Sequence, residues 1–297
     1  MAFNLQTFKT RALTAIVFVI VMLVGLLWSK WTFLILFSVI HFGCWFEYQK
    51  LVSLVDIKYR NISALQRYGV MIAGWGLMLS MMDENVSGGS AVHNSGVIIS
   101  LIGFALLLSD IIKNFTSKNG SAVLYSLLGL LYISLPWTCM IAIRNVNAVF
   151  KEPASVAEMP FVIPIILITS IWINDTMAYI VGSFIGKTPF SKISPKKTWE
   201  GTVGGAILCV VTITLAGYYL LKFRDITALI FISAIAAVVG TAGDLLESKL
   251  KRMANVKDSG QLMPGHGGFL DRFDSLLLAT PFVCLYVFLF MIRFFLD

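Results

Sequence analysis

The sequence predicts an all-α, polytopic integral membrane protein with about nine transmembrane helices and a cytoplasmic N-terminus. Three observations carry this. Of 297 residues, 58% are hydrophobic and 13% charged, about half the charged share of a soluble domain. Apolar runs recur from one end of the chain to the other, more than a single soluble core needs. Lys and Arg are also divided unevenly between alternate connecting segments.

Taken in order, the expected spans are 12–28, 31–46, 68–82, 96–112, 121–143, 161–181, 203–221, 227–246 and 276–295. Met1–Arg11 has the character of a signal-peptide n-region. Ala12–Trp28 is long for the apolar region of such a peptide, and no small-residue cleavage site follows, so a retained first span is expected. Gly88–Gly89 reads as an external turn. With the N-terminus inside, seventeen of the 23 Lys and Arg lie in inner segments, which fits nine spans and an external C-terminus. Topology and anionic membrane lipids therefore account for the net charge of +7, and no nucleic-acid partner is expected. Cys44, Cys139, Cys209 and Cys284 sit far apart in apolar runs, at no zinc spacing and in no disulfide framework. The chain reads as one integral domain, 1–297, without repeats.

Ionisable residues in or beside a span are costly and suggest function. Four places qualify, all at the expected inner ends of spans six to nine. Asp175 lies within span six in IWINDTMAYIVG, where a polar helix–helix contact is the bland alternative. In SKISPKKTWEGTVGG, Ser194 and Pro195 suggest an N-cap and first helical residue. Lys196 and Lys197 then fall in a first turn, where cations oppose the helix dipole unless an anion sits there; a membrane-face anchor is equally acceptable. In GDLLESKLKR, Asp244, Glu247, Ser248 and Lys251 share one helix face. A Glu247–Lys251 pair is a bland account of part of it and leaves Asp244 unexplained. In KDSGQLMPGHGGFLDRFDS, Asp271, Asp274 and Ser275 open span nine after a glycine-rich loop whose backbone can approach a ligand closely. Helix-dipole pairing is the alternative for the two aspartates, and His266 alone would be an ordinary loop histidine.

Carboxylates clustered at one membrane depth need a counter-charge. Mg²⁺ is the natural one, a hard cation bound by one or two carboxylates and substrate phosphates. Lysines with Arg252 and Arg272 would hold further phosphate oxygens. This combination suits phosphoryl or nucleotidyl transfer. Neither a Walker motif, a zinc motif nor a Ser/His/Asp order accompanies it.

SKLKRMANVKDSGQLMPGHGGFLDRFDS, residues 248–275, resembles the signature of the phosphatidate cytidylyltransferases, or CDP-diacylglycerol synthases: S-x-x-K-R, K-D-S-G, P-G-H-G-G and D-R-x-D-S. SPKKTWEG (194–201), GDLLES (243–248) and the Asp175 segment are also similar to the family, so the likeness covers residues 165–280. It implies that CTP and phosphatidate give CDP-diacylglycerol and pyrophosphate, with Mg²⁺ on Asp244 and Asp271, a monovalent cation such as K⁺ sharing that centre, and a homodimer. The catalytic set it implies is Asp244, Asp271, Lys257, His266 and Arg272. Substrate contacts would come from Lys196, Lys197, Ser248, Lys251, Arg252, Asp258, Gly267, Gly268, Asp175 and Asp274. Residues 1–160 would hold the N-terminal spans and 161–297 the catalytic spans, with cytoplasmic loops 182–202 and 247–275, in the cell inner membrane with the active site facing the cytoplasm. A secondary transporter would place its polar groups near the midplane of repeated halves. A CDP-alcohol phosphotransferase would carry a DG-x-x-AR run, absent here. A CTP-dependent lipid kinase and a non-catalytic scaffold are the other rivals.

Overall fold

Residues 5–82, 88–113, 120–146, 159–223, 225–260 and 267–291 are described by the structure, a computed structural model. They form helices α1 (Leu5–Leu27), α2 (Lys30–Val55), the single turn α3 (Ile57–Arg60), α4 (Ala64–Leu79), α5 (Gly89–Lys113), α6 (Gly120–Gly129), α7 (Leu135–Val146), α8 (Val162–Ile185), α9 (Trp199–Tyr219), α10 (Ile226–Met253) and α11 (Leu270–Tyr286). A π-helical turn, Leu130–Ser134, joins α6 to α7, and another, Val287–Met291, follows α11. Among the described residues there is no strand, only one isolated bridge, Pro189 to Thr198.

Each expected span overlaps helix in its described residues, but the lengths differ, and 292–295 of the ninth lie outside the described residues. Among the described residues, seven helical segments are long and apolar enough to cross a membrane: α2, Gly89–Ser109 of α5, the continuous Gly120–Asn145, α8, α9, α10 and Leu270–Phe290. The apolar part of α1, Leu13–Leu27, is shorter, and α4 has 16 residues. A bilayer core takes about 20 helical residues. By length and composition this is a multi-pass membrane protein. Leu13, Ile16 and Ile20 of α1 and Ile35, Val39 and Phe46 of α2 are exposed, the placement expected of side chains that face lipid.

Helix starts follow local capping. Ser29 and Thr32 form a reciprocal capping box on α2. Ser63 accepts the Gln66 amide at α4, and Asp225 accepts the Ala228 amide at α10. The predicted start at Ser194 is not where α9 begins. Thr198 is its N-cap, with Oγ1 accepting the Gly201 amide. Ser194–Lys197 is a turn closed by Lys197 N–H donating to the Ser194 carbonyl, and Phe190 N–H to the Lys197 carbonyl holds that strip extended. Lys196 and Lys197 thus precede the helix instead of occupying its first turn.

The chain comprises two compact units. The first is Met1–Ser80, Asn94–Ser134 and Leu250–Phe273. Its core is built on α2, with Phe33, Phe37, Cys44, Trp45 and Val52 buried. Several buried polar groups there pair with one another, as a water-free surrounding favours. Trp45 Nε1 lies 3.0 Å from Ser134 Oγ and 3.1 Å from His41 Nε2, Gln66 Nε2 donates to Ser126 Oγ, and Tyr48 donates to the Tyr125 carbonyl. The second unit is Met81–His93, Leu135–Lys249 and Asp274–Asp297. Small residues set its helix contacts. A Cβ on Gly205 would lie 2.7 Å from Ala178 Cα, and one on Gly201 2.7 Å from the Ala178 carbonyl, so α8 and α9 meet backbone to backbone.

Replacing Trp45 by Phe keeps the ring packing but removes its N–H from a buried polar group. We expect a loss of about 1–3 kcal/mol, read as a lower unfolding midpoint of the detergent-solubilised protein. An unchanged midpoint would show that this contact does not stabilise the unit.

Candidate functional site

The second unit holds a cleft of about 570 Å³ lined by α8, the 186–198 connection and α10. The α8 contribution is Asn174, Asp175, Ala178 and Tyr179, which the helical repeat sets on neighbouring faces. The connection supplies Ser194, Lys196 and Lys197, and α10 supplies Thr241 and Asp244. The Lys197 ammonium pairs with the Asp244 carboxylate, and Ser248 Oγ donates to Asp244 Oδ1 one turn further on. Three of the four places singled out in the sequence therefore converge here.

Asp244, Glu247 and Asp274 bring their carboxylate oxygens within 4.8 Å of one another. Glu247 is fully buried. Gly243 makes the approach possible, because a Cβ there would lie 2.6 Å from the Asp274 carbonyl. Glu247, which the sequence pattern assigns to a pair with Lys251, thus belongs to the acidic group, and Lys251 gives its ammonium to Asp271 at 2.6 Å. An all-oxygen donor set of this density fits a hard divalent cation. Asn174 adds a further oxygen in the cleft: its Oδ1 is buried and accepts no hydrogen bond from the described residues, while its Nδ2 donates to Thr241 Oγ1 at 3.5 Å.

Glu200 keeps the basic connection in shape. Its carboxylate accepts the Lys187 and Thr188 amides and the Thr188 hydroxyl, at 3.1, 3.2 and 2.8 Å. Trp199 N–H also donates to the Thr188 carbonyl. The two ends of the connection are thereby clasped, and Lys196 and Lys197 are carried to the cleft.

The first unit holds the other expected residues. Asp271 is surrounded by donors: Lys251 Nζ on Oδ1, and the Ser259 amide, Ser259 hydroxyl and Gly268 amide on Oδ2, at 2.9, 2.9 and 2.8 Å. Gly267 adopts φ +81°, a conformation that suits glycine. Lys257 and Asp258 are exposed. Arg252 donates to the Val256 carbonyl, and Arg272 is exposed on the first turn of α11. His266 and the Pro264–Gly265 step lie outside the described residues.

One acidic residue escaped the sequence analysis. Glu47, on α2, accepts the Phe269 and Leu270 amides and the Ser259 hydroxyl, at 2.9, 2.9 and 2.7 Å. The signal was there, an acid on an apolar helix. The expected second span stops at residue 46, one short of it, whereas α2 continues to Val55.

Apolar helices that bring Asp175, Lys196, Lys197 and Asp244 to one cleft, with Glu247 and Asp274 beside Asp244, define a class: an all-helical multi-pass membrane protein with a cleft of mixed acidic and basic side chains. The comparisons with known proteins make the class particular. Residues 9–290 match the model of the cytidylyltransferase family, and the chain belongs to that family. A phosphatidate cytidylyltransferase of Bacillus subtilis strain 168 is 31% identical over 279 residues, covering 94% of this chain and 95% of its own. That of Staphylococcus saprophyticus is 32% identical over 278 residues, covering 92% and 96%. A Rickettsia typhi relative of the same name is 34% identical over 192 residues, covering 62% of this chain and 77% of its own.

Substituting Ala for Glu200 should release the clasp. Trypsin should then cut after Lys187, Lys192 or Lys196 in the folded protein at least about tenfold faster, since proteolysis tracks local opening. Cleavage at the wild-type rate would refute the role of Glu200.

Proposed function

We propose that this chain is a CTP:phosphatidate cytidylyltransferase, transferring CMP from CTP to phosphatidate to give CDP-diacylglycerol and pyrophosphate for phospholipid synthesis. The observation that carries the reading is the cleft: Asp244 sits between Lys197 and the Glu247–Asp274 carboxylates, in a chain of the cytidylyltransferase family. Relatives over nearly the full length bear the phosphatidate cytidylyltransferase name. Mg²⁺ would be held by Asp244, with Asp274 and Glu247 beside it, and would neutralise triphosphate charge and ease departure of pyrophosphate. Asp271 is the second metal carboxylate we propose, and a monovalent cation such as K⁺ would complete the charge balance.

The reaction asks little acid–base chemistry of the protein. A phosphatidate phosphate oxygen, already ionised, attacks the α-phosphorus of CTP. A new O–P bond forms, the bond to the bridging oxygen of the β-phosphate breaks, and that oxygen leaves with the electron pair as pyrophosphate. Positioning and charge neutralisation supply the catalysis. Lys196 and Lys197 would bind phosphate oxygens at the cleft, Lys257, Arg272 and His266 would contribute from the 257–272 segment, and Asp175 would fix the approach of Lys197. The lipid would enter from the inner leaflet with its acyl chains left in hydrocarbon. This reading takes nine spans, a cytoplasmic N-terminus, a cytoplasm-facing site in the inner membrane and a homodimer.

Purified protein given labelled CTP, phosphatidate and Mg²⁺ should yield labelled lipid and pyrophosphate, and EDTA should stop it. Release of CDP instead would identify a lipid kinase and overturn the proposal. Asp244→Asn, Asp274→Asn and Asp271→Asn, each with folding verified, should lose at least about a hundredfold in kcat, in line with removal of a transition-state charge contact. A near-wild-type rate in any one removes that residue from the metal role.

A further inference from the structure

We propose that Glu47, on the second helix of the N-terminal half, is a positioning residue for the KDSG and glycine-rich segments. This inference deepens the cytidylyltransferase reading and rests on it for its kinetic consequence alone. The evidence lies within one compact unit.

Each Glu47 oxygen is engaged. Oε1 accepts the Phe269 amide, and Oε2 accepts the Leu270 amide and the Ser259 hydroxyl. The two amides come from the entry to α11, where backbone N–H groups have no helical partner. A helix cap would be the bland account of those two bonds. It does not cover the third. Ser259 Oγ also lies 2.9 Å from Asp271 Oδ2, and the hydroxyl has a single proton to place between the two carboxylates. Ser259 is 2% exposed, so water does not relieve the competition. Glu47 and Asp271 are therefore linked through one serine, and a change at Glu47 is felt at a carboxylate of the proposed chemistry.

Packing supports the same assignment independently. A Cβ on Gly260 or on Gly268 would overlap the Glu47 carboxylate. Gly268, expected from the sequence to let backbone approach a ligand, is occupied, like Gly260, in letting it approach Glu47. Gly43 lies one turn before Glu47 on α2, and a Cβ there would overlap the Phe269 ring. One face of α2 thus takes both the side chain and the amide of Phe269. The 259–260 and 268–270 strips are fastened to it.

The test uses the full-length protein in detergent as wild type, Glu47→Gln, Glu47→Ala and, as a control for general destabilisation from the same helix, Trp45→Phe. Amide hydrogen exchange over 257–260 and 267–270 should quicken at least about tenfold in Glu47→Ala and stay unchanged in Trp45→Phe. In Glu47→Gln, kcat for CTP-dependent transfer should fall at least about tenfold while KM for phosphatidate stays within about threefold, the pattern of a misplaced catalytic group. Trp45→Phe should keep kcat within about twofold. Unchanged exchange in Glu47→Ala overturns the proposal, as does a kcat in Glu47→Gln equal to that of wild type. If wild type itself makes no labelled lipid, the cytidylyltransferase reading fails, and the exchange result alone decides whether Glu47 positions the loop.

Discussion

Negative charge packed where water is scarce is the constraint on which the rest depends. Asp244, Glu247 and Asp274 place carboxylate oxygens within 4.8 Å of one another, one of the three side chains being wholly buried. In a medium of low dielectric such a group is untenable without positive charge beside it. Among the described residues the Lys197 ammonium lies on Asp244. Three carboxylates drawn this close form an all-oxygen set that fits a hard divalent cation.

Much of the second unit serves that arrangement. Lys197 reaches Asp244 because Glu200 clasps the ends of the 186–198 connection and because Gly201 and Gly205 allow α9 to lie directly on Ala178 of α8. Asp274 reaches Asp244 because Gly243 has no side chain to hold α11 away. Small residues are the usual means by which membrane helices approach closely. Here one of them has a second consequence: Gly243 immediately precedes Asp244, so the close contact with α11 and the placement of a cleft charge are set by neighbouring positions.

The sequence made the helices legible because a bilayer demands long apolar runs, and it made Asp175, Lys196, Lys197, Asp244 and Asp274 legible because charge is conspicuous in such runs. What it hid was pairing. Helical spacing places Glu247 and Lys251 together on one face, yet Lys251 bonds Asp271, twenty residues on, and Glu247 joins the acidic group. Spacing reports which residues can meet within a helix, and tertiary contact chooses among them. Ser194–Pro195 carries a sound local start signal, but the bridge and turn around Lys197 hold that strip extended and leave the cap to Thr198. Glu47 was hidden by a boundary, since its partners lie more than two hundred residues away in the sequence and a span judged one residue shorter treats it as part of a polar flank.

The two carboxylate systems differ in what their surroundings provide, and the difference bears on their chemistry. Both oxygens of Asp271 and of Glu47 are met by donors from the protein: amides, a hydroxyl and, for Asp271, an ammonium. A carboxylate satisfied in this way is fixed in position and gives up a strong hydrogen bond if it turns to another partner. Asp244, Glu247 and Asp274 differ in having carboxylate oxygens within 4.8 Å of one another, with Lys197 and Ser248 on Asp244. The first arrangement is suited to holding backbone in place, and the second is an all-oxygen set that fits a hard cation. Within its own unit Asp271 would have to give up the Lys251 ammonium and three donors to take another partner, whereas the carboxylates of α10 and α11 are already gathered at one point.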